Sequence, residues 1–188
     1  MHIDGHGFAS PARVIASPHV DRRPSGAGVR LVVIHNISLP AGHFGGTDII
    51  RLFQGQLDCN AHPDYAALCG LRVSAHFLIR RSGELIQFAS CHDRAWHSGV
   101  SSWQGWQKCN DFSIGIELEG TDQLAFEDAQ YQQLNALLDA IRQLWPDVAL
   151  AGHSDVAPGR KTDPGPCFDW TRVSQAGSRF RQSVMPSD

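Results

Sequence analysis

The chain has 188 residues, a length that suits one domain with a hydrophobic core of its own. Its net charge of −3, without any run of Lys or Arg, argues against a nucleic-acid-binding surface, and no apolar run is long enough to span a membrane. Residues 1–6 lack the basic region and the apolar core of a secretory signal, so we expect a cytoplasmic protein.

Predicted strands and helices alternate along the chain. Residues 1–29 are rich in Pro, Gly, Ser and Arg and are expected to wrap the surface. Apolar runs bounded by turn residues predict strands, and apolar side chains at three- and four-residue steps predict a long helix that Pro146 ends. The predicted strands are 30–35, 74–80, 84–88, 111–119 and 148–151, and the predicted helices are 47–54, 127–145 and 170–181, with a flexible tail at 182–188. This order indicates a single α/β domain, 1–188, with a central mixed β-sheet flanked by helices.

The cysteines and histidines point to different chemistry. The five cysteines are odd in number and none has CxxC spacing, which argues against a disulfide framework and against a thiolate zinc site. We expect each to be a buried or half-buried small apolar residue in a reducing compartment. Ten histidines make a metal site of His and Asp easier to build.

Two histidines follow short apolar runs that predict strands. His35 comes directly after the run 31–34, and His153 follows the run 148–151. Ligands of α/β domains gather at strand ends, although His35 can also simply cap its strand. With Asp163 the two histidines would supply three ligands and leave a fourth position open, as in catalytic zinc sites.

The segment 152–166 carries His153, Lys161 and Asp163 on a backbone that three prolines restrict. Asp163 precedes Pro164, which favours an extended backbone, so Lys161 and Asp163 would point to the same side. Either a metal site with an attendant cation or a surface salt bridge fits this pattern.

The run 114–119 alternates between apolar residues on one side and Gly115, Glu117 and Glu119 on the other. A glutamate on a central strand needs a partner, and next to zinc it can act as a general base. A solvent-facing edge strand is the alternative, and the pattern does not choose between Glu117 and Glu119.

Two further histidines suggest different environments. His76 lies inside a predicted strand, so we expect a hydrogen-bonded core histidine. His97 follows Trp96 in a loop, which suits a sugar or peptide contact, although Trp96 can equally belong to the core.

Five collinear segments closely resemble the zinc-dependent N-acetylmuramoyl-L-alanine amidases, specifically the AmpD type. They are VVIHNISLPAGHFGG at 32–46, LRVSAHFLIRRSGELIQF at 71–88, RAWHSGVSSWQG at 94–105, CNDFSIGIELEGTD at 109–122 and GHSDVAPGRKTDPGP at 152–166. The resemblance implies the amidase or peptidoglycan-recognition-like fold. It also implies cleavage of the amide bond between (1,6-anhydro-)N-acetylmuramic acid and L-alanine of muropeptides, in cytoplasmic cell-wall recycling linked to β-lactamase induction. A monomer is expected.

The same resemblance implies roles for individual residues. Zn²⁺ would be bound by His35, His153 and Asp163, where related amidases often have a Cys in place of the aspartate. Glu117, rather than Glu119, would be the catalytic acid/base, and Lys161 would stabilise the oxyanion.

The resemblance also implies a set of substrate contacts, namely Asn36, Arg72, Trp96, His97 and Lys108. Lys108 stands where close relatives are expected to have Arg, so it offers a cation without a bidentate fork.

Three other functions fit parts of this pattern. A non-catalytic module that binds peptidoglycan fragments would lack a zinc ligand or Glu117, and both are present. A periplasmic amidase that acts on intact peptidoglycan would carry a signal peptide. A structural domain with a chance histidine cluster would need no metal.

Overall fold

The structure, a computed structural model, describes residues 1–173. Of the predicted C-terminal helix 170–181, the described part forms a short 3-10 helix at Trp170–Arg172. The rest of that helix and the tail 182–188 lie outside the described residues. Within residues 1–173, no helix combines the length and the apolar character needed to cross a membrane.

Most elements are short. The strands are β1 (His2–Ile3), β2 (Ala9–Ser10), β3 (Arg13–Val14), β4 (Val20–Arg22), β5 (Leu31–Ile37), β6 (Phe77–Ile79), β7 (Leu85–Gln87), β8 (Asp93–Ala95), β9 (Ser102–Trp103), β10 (Trp106–Gln107), β11 (Ser113–Glu119) and β12 (Ala149–Gly152). The helices are α1 (Asp48–Phe53), α2 (Asp128–Leu144) and α3 (His153–Val156), with 3-10 helices at Pro63–Leu68 and Cys109–Phe112 as well as at Trp170–Arg172.

The six-stranded sheet has the order β12-β5-β11-β6-β7-β3. Strands β12, β5, β11 and β6 run parallel, and β7 runs antiparallel to β6. The predicted α/β class with a central mixed sheet is confirmed. β11 lies in the middle of this sheet with all seven residues buried, so it is not the solvent-facing edge strand that the sequence left open.

The long helix α2 covers one face of the sheet. Its inner stripe, which includes Leu134, Leu138 and Ile141, packs against the apolar side of β5 and β11. Each such leucine contributes about 1.5–3 kcal/mol when fully buried. The helix begins with a capping box between Glu127 and Gln130, in which the main-chain N–H of Glu127 donates to Gln130 Oε1 at 3.0 Å.

The N-terminal segment is more regular than predicted. It forms β1 to β4, of which β3 extends the main sheet and β4 pairs with β8. Arg23 follows β4 and is largely buried, and it donates to the carbonyl oxygens of Asn110 and Ser113 at 3.1 and 2.8 Å. This segment therefore braces the chain that leads into β11.

The cysteine prediction is wrong for one pair. Cys59 and Cys69 form a disulfide across a surface loop, with their Cα atoms 5.7 Å apart, and Cys69 is exposed. Cys91 and Cys109 are buried and Cys167 is half-buried, as expected for free cysteines. The odd number of cysteines and the absence of CxxC spacing did not indicate this pair. The two cysteines lie on either side of the 3-10 helix Pro63–Leu68.

Candidate metal centre and active site

Two parallel strands carry the first residues of the site. In the register of β5 and β11, His35 lies directly opposite Glu117. Paired residues project to the same side of a sheet, so both side chains leave the face opposite α2. β12 pairs with β5 on its other edge and leads directly into His153, the first residue of α3.

A loop brings the aspartate to these strands. The main-chain carbonyl of Asp163 accepts a hydrogen bond from the Ser154 N–H at 2.9 Å. The loop is thereby attached to the start of α3, one residue after His153. Lys161 and Asp163 line one cavity, and so does Thr162 between them. The prediction of an extended segment at Asp163 is wrong, because residues 162–165 form a turn in which the Gly165 N–H donates to the Thr162 carbonyl at 3.0 Å.

Three atoms suited to metal binding converge. His35 Nδ1 lies 2.9 Å from His153 Nδ1 and 3.1 Å from Asp163 Oδ2, and His153 Nδ1 lies 2.9 Å from the same oxygen. A zinc ion bound tetrahedrally at roughly 2.0–2.2 Å holds its ligand atoms about 3.3 Å apart, close to the spacing seen here. The structure therefore brings together the three residues that were predicted as ligands, in a group able to hold a metal ion.

Burial and charge set the protonation of this group. Burial lowers the pKa of His35 to about 4, against a smaller opposing effect of its hydrogen bond with Asp163. Burial alone would raise the pKa of Asp163, but hydrogen bonds with His153 and His35 hold that pKa below its usual range. At neutral pH the group offers a neutral imidazole and a carboxylate, which is the donor chemistry that zinc accepts.

Glu117 is the buried carboxyl group next to the cluster. Its Oε1 lies 4.0 Å from His35 Nδ1, and its Oε2 is buried without a hydrogen-bond partner among residues 1–173. Burial raises the pKa of Glu117 well above its usual value and Asp163 raises it further, while Lys161 opposes the shift. A buried carboxyl group with an unpaired oxygen at a cleft is suited to proton transfer.

Glu119 has a different environment on the same strand. Its Oε1 accepts from Arg80 Nη1 at 3.0 Å and from the main-chain N–H of Gly45 at 2.7 Å, and its Oε2 accepts from Arg81 N–H at 3.2 Å. These bonds satisfy the carboxylate and fix the loop before α1. The structure thus distinguishes Glu117 from Glu119, which the alternating sequence pattern in 114–119 could not do.

A cavity of about 360 Å³ opens beside Asp163, whereas His35, His153 and Glu117 are not part of its lining. Lys161 and Asp163 line it together with Asn36, Asp122 and Arg160. Asn36 Nδ2 donates to Asp122 Oδ1 at 2.7 Å, which fixes the amide at the cavity wall. Sequence reasoning missed Asp122 and Arg160, although Asp122 follows the end of β11, where site residues of α/β sheets gather.

Three other predicted substrate contacts lie outside the lining of this cavity. The Arg72 guanidinium stacks over the Trp96 ring at 5.3 Å and lines a smaller cavity of about 160 Å³. Trp96 Nε1 donates to Asp21 Oδ1 at 3.2 Å. Lys108 is exposed, with a left-handed backbone (φ 60°), at the start of the 3-10 helix Cys109–Phe112.

Of the two other histidines that the sequence singled out, His76 is buried and His97 is half-buried. His76 is fully buried, as predicted, and its Nδ1 accepts from the Gly115 N–H at 3.0 Å, while burial lowers its pKa to about 3. His97 contacts His35 directly, with 3.0 Å between His97 Nδ1 and His35 Nε2.

Known proteins resemble this chain over most of its length. Residues 25–166 match the family model described as N-acetylmuramoyl-L-alanine amidase. The 1,6-anhydro-N-acetylmuramyl-L-alanine amidase AmpD of Citrobacter freundii is 55% identical over 183 residues, which cover 96% of this chain and 94% of that protein. A crystal structure of a selenomethionine AmpD derivative superposes with a TM-score of 0.90 at 55% identity, over 92% of this chain and 97% of the other. AmpDh3 of Pseudomonas aeruginosa, crystallised in complex with anhydromuramic pentapeptide, matches with a TM-score of 0.56 at 29% identity, over 92% and 65% of the two chains.

The chain therefore belongs to the N-acetylmuramoyl-L-alanine amidase family, a family of amide hydrolases. The identity and coverage place it with the AmpD type, as the five sequence segments indicated.

Proposed function

We propose that this protein hydrolyses the amide bond between 1,6-anhydro-N-acetylmuramic acid and the L-alanine of muropeptides in cell-wall recycling, with zinc as its cofactor. The observation that carries the proposal is the convergence of His35, His153 and Asp163 beside the buried carboxyl group of Glu117, whose Oε2 has no hydrogen-bond partner in the described part of the chain. The relatives' names supply the substrate, and AmpDh3 was crystallised with an anhydromuramic peptide. Recycling in relatives of this type also motivates the proposed link to β-lactamase induction.

The zinc ion would be held by His35 Nδ1, His153 Nδ1 and Asp163 Oδ2. When bound there, zinc polarises a carbonyl group and lowers the pKa of a water molecule. The proton transfers and the stabilisation of the oxyanion would be carried out by side chains of the protein.

Glu117 would act first as base and then as acid. It takes the proton of the water that attacks the lactyl carbonyl, and it returns a proton to the departing alanine nitrogen. Burial raises its pKa, which favours the protonated form that donates to the departing amine. Lys161, on the wall of the cavity beside Asp163, would stabilise the developing oxyanion by charge.

The substrate contacts are proposed from their positions. Asn36 presents its amide at the cavity wall, held by Asp122. Arg72, stacked on Trp96, and Lys108 offer cations for the carboxylates of the stem peptide. The contacts of His97 favour a role in support of His35 instead of a contact with the substrate.

One observation favours a second candidate function. The Cys59–Cys69 disulfide is typical of oxidising compartments, whereas recycling is proposed to occur in the cytoplasm. A periplasmic amidase that acts on intact peptidoglycan is therefore the alternative. Fractionation of cells that express the protein distinguishes the two, because a periplasmic location would contradict the recycling assignment.

The proposed reaction is tested with purified anhydro-muropeptide and mass spectrometry of the products. The zinc-loaded protein should release a free stem peptide, a chelator should stop the release, and added zinc should restore it. Glu117→Gln should bind zinc but lose most turnover, whereas Asp163→Ala should lose the metal itself. Glu84→Gln, on the surface hairpin between β6 and β7, serves as the matched control. Cleavage at the normal rate by Glu117→Gln would refute the assigned mechanism.

A further inference from the structure

His97 lies behind His35. His35 Nδ1 faces His153 and Asp163, and the Nε2 atom on the other edge of the same ring meets His97 Nδ1 at 3.0 Å. His97 is half-buried, and the other polar contacts of its ring within residues 1–173 are Ser98 Oγ, 2.9 Å from Nδ1, and Ser113 Oγ, 3.1 Å from Nε2.

These contacts define one consistent arrangement of protons. A metal-binding His35 Nδ1 must keep its lone pair, so in the neutral ring the proton sits on Nε2. That N–H donates to His97 Nδ1, which therefore accepts and carries no proton. The proton of the neutral His97 ring then sits on its Nε2 and is donated to Ser113 Oγ, while the Ser98 hydroxyl can donate to Nδ1 as well.

The surrounding chain holds this ring in place. A Cβ atom on Gly115 of β11 would lie 2.4 Å from His97 Cγ, so the absence of a side chain there makes room for the ring. Asn110 Oδ1 accepts the main-chain N–H groups of His97 and Ser98 at 3.2 and 2.8 Å. Arg23 in turn binds the carbonyl oxygens of Asn110 and Ser113.

Ser98, the residue after His97, supports the second histidine ligand, His153. The carbonyl oxygen of Ser98 lies 3.2 Å from His153 Nε2, and Arg160 Nη2 donates to the same oxygen at 2.6 Å. His153 would therefore also carry its proton on Nε2 and present Nδ1 to the cluster. Two consecutive residues, 97 and 98, thus contact the back of both histidine ligands.

We propose that His97 is a positioning residue of the metal centre, which fixes the ring of His35 and its Nε2–H tautomer so that Nδ1 is available to the metal. The inference rests on the proposed zinc site. It gives His97 a role in supporting the metal-binding residue His35 and not in contacting the substrate. Partners behind metal-binding histidines raise metal affinity in this way.

The first test measures zinc affinity by competition with a chromophoric chelator. His97→Leu keeps the approximate volume but removes the acceptor, and zinc affinity should fall by roughly 10–100-fold. His97→Asn places an amide oxygen near the position of Nδ1 and should recover most of the affinity. His92→Leu, the same change at an exposed histidine on a turn, is the control and should bind zinc like the wild type.

The second test uses the unaltered protein, so it does not depend on a variant that folds. Long-range ¹H–¹⁵N spectra of the zinc-loaded protein should show His35 and His97 both protonated at Nε2. A proton on His97 Nδ1 would overturn the inference. Circular dichroism of the metal-free variants checks that they are folded.

The outcomes separate the two proposals. If wild-type protein fails to bind zinc, the proposed function falls and this inference falls with it. If the wild type binds zinc and His97→Leu binds it equally tightly, only the positioning role is refuted. A raised KM for the muropeptide with unchanged zinc affinity would show that His97 contacts the substrate instead.

Discussion

Replacing Gly115 with Ala should damage the metal centre through a single methyl group. The new Cβ would lie 2.4 Å from His97 Cγ and 2.6 Å from its Nδ1, whereas ordinary contacts are 3.4–4 Å. β11 is held between β5 and β6, so the ring rather than the strand has to yield. A retreat of about 1 Å would stretch the 3.0 Å hydrogen bond to His35 beyond the range of a hydrogen bond.

Two quantities should change together in Gly115→Ala. Overpacking should lower the free energy of unfolding of the metal-free protein by about 1–3 kcal/mol in urea titrations, offset in part by the roughly 0.5–1 kcal/mol that Ala gains over Gly within a strand. Zinc affinity should fall by roughly 10–100-fold, as expected when the partner of a ligand is displaced. Gly46→Ala is the control, because its Cβ would meet no atom within 4 Å. If Gly115→Ala matches the wild type in both stability and zinc affinity, the reasoning about this contact is wrong.

Three further predictions concern the fold. Gln130→Met keeps the side-chain volume but removes two hydrogen bonds to buried carbonyl groups and the capping-box bond from the Glu127 N–H. The free energy of unfolding should therefore fall by about 1–3 kcal/mol in urea, and an unchanged midpoint would contradict this. Leu134→Ala, at a fully buried position, should cost about 2–5 kcal/mol by the same measurement, and Leu124→Ala at an exposed position should cost far less. Thiol titration in denaturant without reductant should find three thiols of five, and a count of five would exclude the disulfide between Cys59 and Cys69.

The sequence predicted the elements whose residues repeat with a clear period. The helix expected at 127–145 is α2, Asp128–Leu144, because its apolar stripe and its terminal Pro146 are both local signals. The alternation in 114–119 correctly placed three apolar side chains toward the core. Of the strands with two or three residues, β6 and β7 were predicted because apolar runs bounded by turn residues mark them, whereas β8 and β9 carry no such local signal. Their pairing depends on distant partners, for example Asp93 with Arg22.

In the candidate site too, neighbouring residues in the sequence predicted some features, whereas contacts between distant positions could not be predicted. The apolar runs marked His35 and His153, although β5 continues to Ile37, so that His35 lies within this strand and not after its end. The pattern could not separate Glu117 from Glu119. Only the fold reveals that Arg80, 39 positions away, satisfies Glu119. His97 was predicted to contact a sugar or peptide because its neighbours along the chain suggested a loop, whereas its partner His35 is 62 positions away.

The pairing of His35 with Glu117 has a consequence for length changes in the strands. A deletion of one residue within β11 would turn the glutamate toward α2 and the isoleucines toward the cleft, so core and site would fail together. A deletion of two residues restores the inward face of the strand but brings a different residue opposite the histidine. Variants of the second kind should fold yet remain inactive, and a library of strand indels would therefore separate the requirements of folding from those of chemistry.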